Sequence, residues 1–137
     1  MSNRLYPALA GIALLFLAAT PMAAHHSFAA EYDITKPVKF HGTITKVEWV
    51  NPHAWVYVDV KDPDGKVTNW HVELGSPSAL FRLGWKKNAV PVGLPVDVVG
   101  YRSKLGDAVC NGAQFTLPDG RVLSTGGSSP GSPNAKP

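Results

Sequence analysis

From residue 38 onward, apolar and polar residues alternate at period two, the pattern of strands that bury one face. Residues 38–50 ("VKFHGTITKVEWV") carry Phe40, Gly42 and Ile44 in one phase and Val47 and Trp49 one step out of it. A phase slip inside a single long strand predicts a β-bulge or a sharp bend. Asn51-Pro52 marks a turn. Residues 53–60 ("HAWVYVDV") then place Ala54, Val56, Val58 and Val60 on one face and His53, Trp55, Tyr57 and Asp59 on the other. "DPDG" at 62–65 is a turn, because Pro63 pre-sets φ and Gly65 accepts a positive φ. Residues 67–74 ("VTNWHVEL") alternate again, with Thr68, Trp70, Val72 and Leu74 opposite Asn69, His71 and Glu73.

After Gly75 the period changes. Ser76-Pro77 reads as an N-cap with proline at the first helical position, and Leu80 and Leu83 give a short apolar stripe that Gly84 ends. A fourth strand is expected around 96–102 and a fifth within 108–117. A second "PDG" turn at 118–120 then leads into a small terminal hairpin. The order is three strands, a helix and two strands, with a long bent first strand. It predicts an all-β fold with one short helix, a small OB-like five-stranded barrel over residues 38–123. A small open β-sandwich is the competing architecture. The tail, 124–137 ("STGGSSPGSPNAKP"), is nearly all small or turn-forming residues and is expected to be disordered.

The region before the strands has a different character. Arg4 is its only charge before position 25. Residues 8–19 ("ALAGIALLFLAA") are uninterruptedly apolar, and small residues follow. A basic start, a short apolar core and small residues at the end describe a secretory signal peptide, assigned to residues 1–24. The run is shorter than the roughly 20 apolar residues of a membrane span, so no transmembrane span is expected after cleavage. Cleavage after Ala24 would leave His25 first. Cleavage after Ala29, with Ser27 and Ala29 in a small-x-small pattern, would delete both His25 and His26. The shorter distance from the apolar core favours Ala24, which leaves an N-terminal arm at 25–37 and a periplasmic location.

Net charge excludes one class of partner. The whole chain carries +3, no basic cluster exceeds Lys86-Lys87, and nucleic acid is therefore not expected. Cys110 is the single cysteine, so no internal disulfide can form, and a buried inert thiol is its expected role. No GxSxG elbow, acyl-transfer signature or glycine-rich phosphate loop occurs, and no catalytic residue is assigned; the chain is not expected to be an enzyme.

The histidines carry the most chemistry. Pairing the second and third strands through the 62–65 turn puts Tyr57 or Trp55 opposite His71, and Glu73 or its neighbour opposite His53. Two imidazoles and a carboxylate on one surface suit Cu²⁺ or Zn²⁺. If cleavage exposes His25, its α-amine and ring can chelate one metal together, since the amine loses its proton to a metal near neutral pH. The candidate copper (or zinc) ligands are therefore His25, His53 and His71, with His26 and Glu73 as lesser candidates and His41 as a further imidazole. Trp49, Trp55 and Tyr57 are the candidates for a metal-independent grip on a ring or polymer, of the kind OB-fold faces use. Trp70, on the apolar face of its strand, is expected in the core.

"AHHSFAAEYD" at 24–33, "GTITKVEWVNPHAWVYVDV" at 42–60 and "WHVEL" at 70–74 together resemble a family of small exported bacterial proteins, the domain of unknown function numbered six-one-five-two. The resemblance covers about residues 25–123 and implies a periplasmic protein. It brings no established activity. The expected function is thus a periplasmic ligand-binding accessory protein that binds copper through histidines, in support of an exported redox enzyme. The alternative is an OB-type module that binds an envelope polymer or a partner protein without metal.

Overall fold

In a computed structural model of the chain, residues 28–130 are described. The elements in chain order are α1 (Phe28–Glu31), β1 (Tyr32–Glu48), β2 (Trp55–Lys61), β3 (Val67–Glu73), α2 (Pro77–Arg82), β4 (Pro95–Ser103), β5 (Val109–Thr116) and β6 (Val122–Ser124). The sheet order is β3-β2-β1-β4-β5-β6, and β3 also pairs with β5. That extra pairing is parallel, whereas every other neighbour is antiparallel. It turns five strands into a ring with a helix between β3 and β4, the OB-like arrangement the element order predicts. Closing the ring pairs edges that would otherwise be exposed.

β1 makes the ring possible. It pairs with β4 along residues 37–43 and with β2 along 43–48, so one strand serves both sides of a bend. The register slips between Ile44 and Lys46, where the phase of the apolar residues changes. Gly42, immediately before the slip, lies so close to β2 that a Cβ there would meet the Asp59 carbonyl oxygen at 2.4 Å and Val58 Cγ1 at 2.7 Å. Inward-facing Ile44, Val56, Val58, Val72, Val98 and Phe115 fill the ring. α2 closes one end with Leu80 and is capped as expected, with Ser76 Oγ accepting from the Ala79 N–H at 3.3 Å. Trp85 is fully buried and donates its indole N–H to the Ser124 carbonyl at 2.7 Å. Trp70 is half-buried rather than sealed in. It stacks on Phe40 at 4.8 Å between ring centroids, with the Arg102 guanidinium over its ring at 5.2 Å.

Two boundaries differ from the sequence pattern, the start of β1 and the start of the tail. β1 begins at Tyr32 rather than at 38, and a single helical turn, α1, precedes it. Tyr32 pairs with Ser103, but regular pairing resumes only at Pro37 and Tyr101, and half-buried Asp33 and exposed Ile34, Thr35 and Lys36 loop out between them. That excursion breaks the alternation by which the strand would have been recognised. The terminal hairpin forms as expected, with β6 paired to β5. The start of the tail is also ordered onto the fold. Thr125 and Ser129 are fully buried, Thr125 Oγ1 donates to the Gly112 carbonyl, and the Gly75 N–H donates to the Thr125 carbonyl at 2.8 Å. Small residues fit there because the Gly75 backbone approaches that of Gly126 too closely for a side chain.

The contacts at Gly42 give a test. Gly42→Ala is expected to cost about 1–3 kcal/mol by forcing β1 and β2 apart. The urea midpoint should fall while the slope of the transition stays unchanged.

Candidate functional site at the ring closure

Alternation puts Glu73 on the same face of β3 as His71 and Asn69, which are exposed. Glu73 is nonetheless buried, at 4% exposure. The ring closure explains the difference. Glu73 lies on the last pairing of β3 with β5, opposite Asn111, and opposite Trp55 on β2, while the start of β1 covers it. A buried carboxylate needs partners for its oxygens. The Tyr32 hydroxyl donates to Glu73 Oε2, and His53 Nδ1 meets Oε1. A carboxylate oxygen only accepts, so Nδ1 carries the hydrogen of that contact. The neutral ring then keeps its lone pair on Nε2. His53 itself sits on the turn after β1, beyond the cis Asn51-Pro52 peptide, and its side chain is 45% exposed.

These groups face a pocket of about 390 Å³ lined by Glu31, Tyr32, Val50, Asn51, Pro52, His53, Trp55, Glu73, Ser103 and Leu105. Its walls are the β1–β2 turn and the β4–β5 loop, the two loops with which OB-folds commonly hold ligands. The electrostatics follow from the pairings. The hydrogen bond to Glu73 raises the His53 pKa above its usual value, against the opposing effect of burial. Burial, reinforced by the Glu73 hydrogen bond, raises the Tyr32 phenol well above the normal tyrosine range, so it stays a donor. Cys110, buried beneath, has its thiol pushed up to about 12 by desolvation, which leaves it unreactive as a thiolate source.

The other candidates fall elsewhere. His71 pairs with Tyr57 as expected and packs edge-on against its ring at 4.7 Å. It lies two residues from Glu73, roughly 7 Å along the strand. Tyr57 donates its hydroxyl to Glu48 at 2.8 Å, and Lys46 sits over its ring and pairs with Glu48. His41 faces Asp97 at 3.0 Å on the exposed β1–β4 surface. Trp49 is taken up by packing, stacked on Phe81 at 5.3 Å and edge-on to Trp85 at 6.3 Å, while Trp55 alone of the ring-binding candidates lines the pocket. His25 and His26 lie outside the described residues, as do residues 1–24, where a signal peptide is expected, and residues 131–137 of the tail expected to be disordered. Among the described residues no group of three or more His, Cys, Asp or Glu side chains converges in the manner of a metal site, and no helix is long and apolar enough to cross a membrane.

Tyr32 was not a candidate from sequence. Its signal is the spacing of Phe28 and Tyr32, four residues apart, which puts two aromatics on one face of a helical turn. Their rings stack at 5.5 Å, and Phe28 also meets Tyr101 edge-on at 5.6 Å.

A protein-family model described as a family of unknown function, DUF6152, matches residues 13–112. No curated protein and no solved structure matches the chain.

The Glu73 pairings predict how stability depends on pH. His53 has a raised folded pKa, so its pairing contributes fully below about 6.5, and the contribution is lost as pH rises through the folded value. Tyr32 behaves likewise above about 10, where the unfolded phenol ionises first. Urea midpoints measured across this range should show the advantage of wild type over His53→Ala shrinking as pH rises from 6 to 9. Tyr32→Phe, which leaves Glu73 Oε2 without its donor, should cost about 1–3 kcal/mol at neutral pH.

Proposed function

The chain belongs to the DUF6152 family of unknown function, and from that premise we propose that it is an exported, periplasmic accessory protein that binds a copper ion through histidines. One observation carries the reading. Glu73 holds His53 by Nδ1 at the edge of a pocket and so presents Nε2 as a preoriented nitrogen donor. A carboxylate behind a histidine, fixing its tautomer and ring orientation, is the usual support of a metal-ligating imidazole. Glu73 acts in this scheme as the positioning residue, since both of its oxygens are already engaged. Imidazole nitrogen suits Cu²⁺ and also Zn²⁺, and copper lies higher in the affinity order. His25, through its ring and its free amine, is the further ligand. His26 lies next to it, and His71 stands one pleat away. The short apolar run at 8–19 supports the exported, periplasmic part of the proposal.

A second reading has its own support. Trp55, Val50, Pro52 and the 86%-exposed Leu105 give the same pocket an apolar rim. That rim suits docking of an envelope polymer or a partner protein, with no metal involved.

Titration of the purified exported protein with Cu²⁺ distinguishes the two. The metal reading expects a nitrogen-type ligand-field spectrum that His53→Ala removes, and an affinity that Glu73→Gln lowers about 10–100-fold. Unchanged copper affinity in His53→Ala contradicts it. Retention of a partner that is independent of metal and lost in Trp55→Ala favours the second reading.

A further inference from the structure

Residues 74–96 contain no Asp or Glu, although the chain has 10, and they carry three cations, Arg82, Lys86 and Lys87. All three cations are exposed, and none pairs with a described carboxylate. The carboxylates at the borders of the segment are already engaged. Glu48, one residue before Trp49, is held by Lys46 and the Tyr57 hydroxyl. Asp97, just after the segment, faces His41, and Asp119, which shares a pocket with Ala89, pairs with Arg121. The same surface keeps large apolar groups in water. α2 buries Ala79 and Leu80, yet Phe81 beside them is 44% exposed. Phe81 stacks on Trp49 at 5.3 Å, which brings the β1–β2 turn against α2, and Val50 on that turn is 47% exposed. After α2 the chain folds back, with the Gly84 N–H donating to the Phe81 carbonyl and the Trp85 N–H to the Leu80 carbonyl. Lys86 and Lys87 therefore follow directly from Trp85, the residue that meets Trp49 edge-on at 6.3 Å.

We propose that this surface docks on an anionic phospholipid bilayer, with Phe81 and Val50 entering the interface while Arg82, Lys86 and Lys87 bind the headgroups. An aromatic ring and an aliphatic side chain flanked by uncompensated cations is the composition of a face that lies on a membrane without spanning it. Each Lys or Arg brought near an anionic leaflet adds attraction, and the absence of acids from 74–96 leaves no repulsion to offset it. A lipid surface fits this face better than a protein one, because lysine is depleted where proteins bind each other. The proposal does not depend on the copper-binding reading. Val50 also lines the His53 pocket, so docking by this face would set the rim of that pocket beside the bilayer.

The test mixes the purified exported protein, without metal, with two kinds of vesicle: phosphatidylcholine alone, and equal parts of phosphatidylcholine and phosphatidylglycerol. Bound protein is read by flotation. Wild type should float with the anionic vesicles and not with the neutral ones. Lys86→Gln/Lys87→Gln, which alters only exposed side chains, should bind about tenfold more weakly or worse. Brominated acyl chains should quench the tryptophan fluorescence of the bound protein. Trp49→Phe, which keeps a ring against Phe81, should bind normally and lose most of that quenching. Phe81→Ser should weaken binding, with its urea midpoint measured alongside to show that it folds. No binding to anionic vesicles, or equal binding by wild type and the double lysine variant, overturns the proposal. So does anionic binding without quenching, the signature of a purely electrostatic contact such as an acidic protein partner would make.

Discussion

The structure depends on one buried carboxylate. Glu73 lies where β3, β5 and the start of β1 converge to close the ring, on a strand face that is solvent-exposed at its other end. A charge taken from water there is sustained only by groups that donate to it. The fold supplies two, from opposite ends of the N-terminal half of the domain: the Tyr32 hydroxyl, 41 residues away in sequence, and the His53 ring from the turn between β1 and β2. The same contacts that satisfy the carboxylate therefore fix the first residue of β1, the turn after β1 and the end of β3 relative to one another. They also fix which nitrogen of His53 is free to act.

Much of this was legible in the sequence. The OB-like order of strands, the bulge after Ile44, the capped helix at Ser76 and the pairing of His71 with one of Tyr57 and Trp55, which proves to be Tyr57, follow from local alternation and turn chemistry, which act over a few residues. The sharing of one surface by Glu73 and His53 was legible too, although the ladder sets Glu73 opposite Trp55 and the contact reaches His53 from the turn before β2. The part that was not legible is what depends on closure. Burial of Glu73 comes from a parallel β3–β5 pairing and from the first residue of β1. Neither leaves a mark on "WHVEL", which alternates as though Glu73 faced water. The loop-out at 33–36 likewise hid Tyr32 from a reading by period, and the docked start of the tail depends on glycine backbones meeting at Gly75 and Gly126.

The division of labour between the histidines follows from the same geometry. His71 packs against Tyr57 on the open face, and His41 pairs with Asp97 on the β1–β4 surface. Each is set by a strand position that any ring closure would preserve. Among the described histidines, His53 alone is held by a buried group and faces a pocket, at the loops where an OB-like ring offers concavity. Trp49, which resembled a stacking platform in sequence, is committed to packing against Phe81 and Trp85.

Glu73 holds His53 by Nδ1 and leaves Nε2 free, the nitrogen that the proposed function assigns to a metal. Nitrogen-15 and proton NMR of the His53 ring, without metal and then with added Zn²⁺ as a diamagnetic probe, tests this most directly. A hydrogen-bonded Nδ1 proton should persist in the metal-bound protein, with the metal-induced shift confined to Nε2. A ring protonated at Nε2 when neutral, or a metal shift on Nδ1, would contradict it.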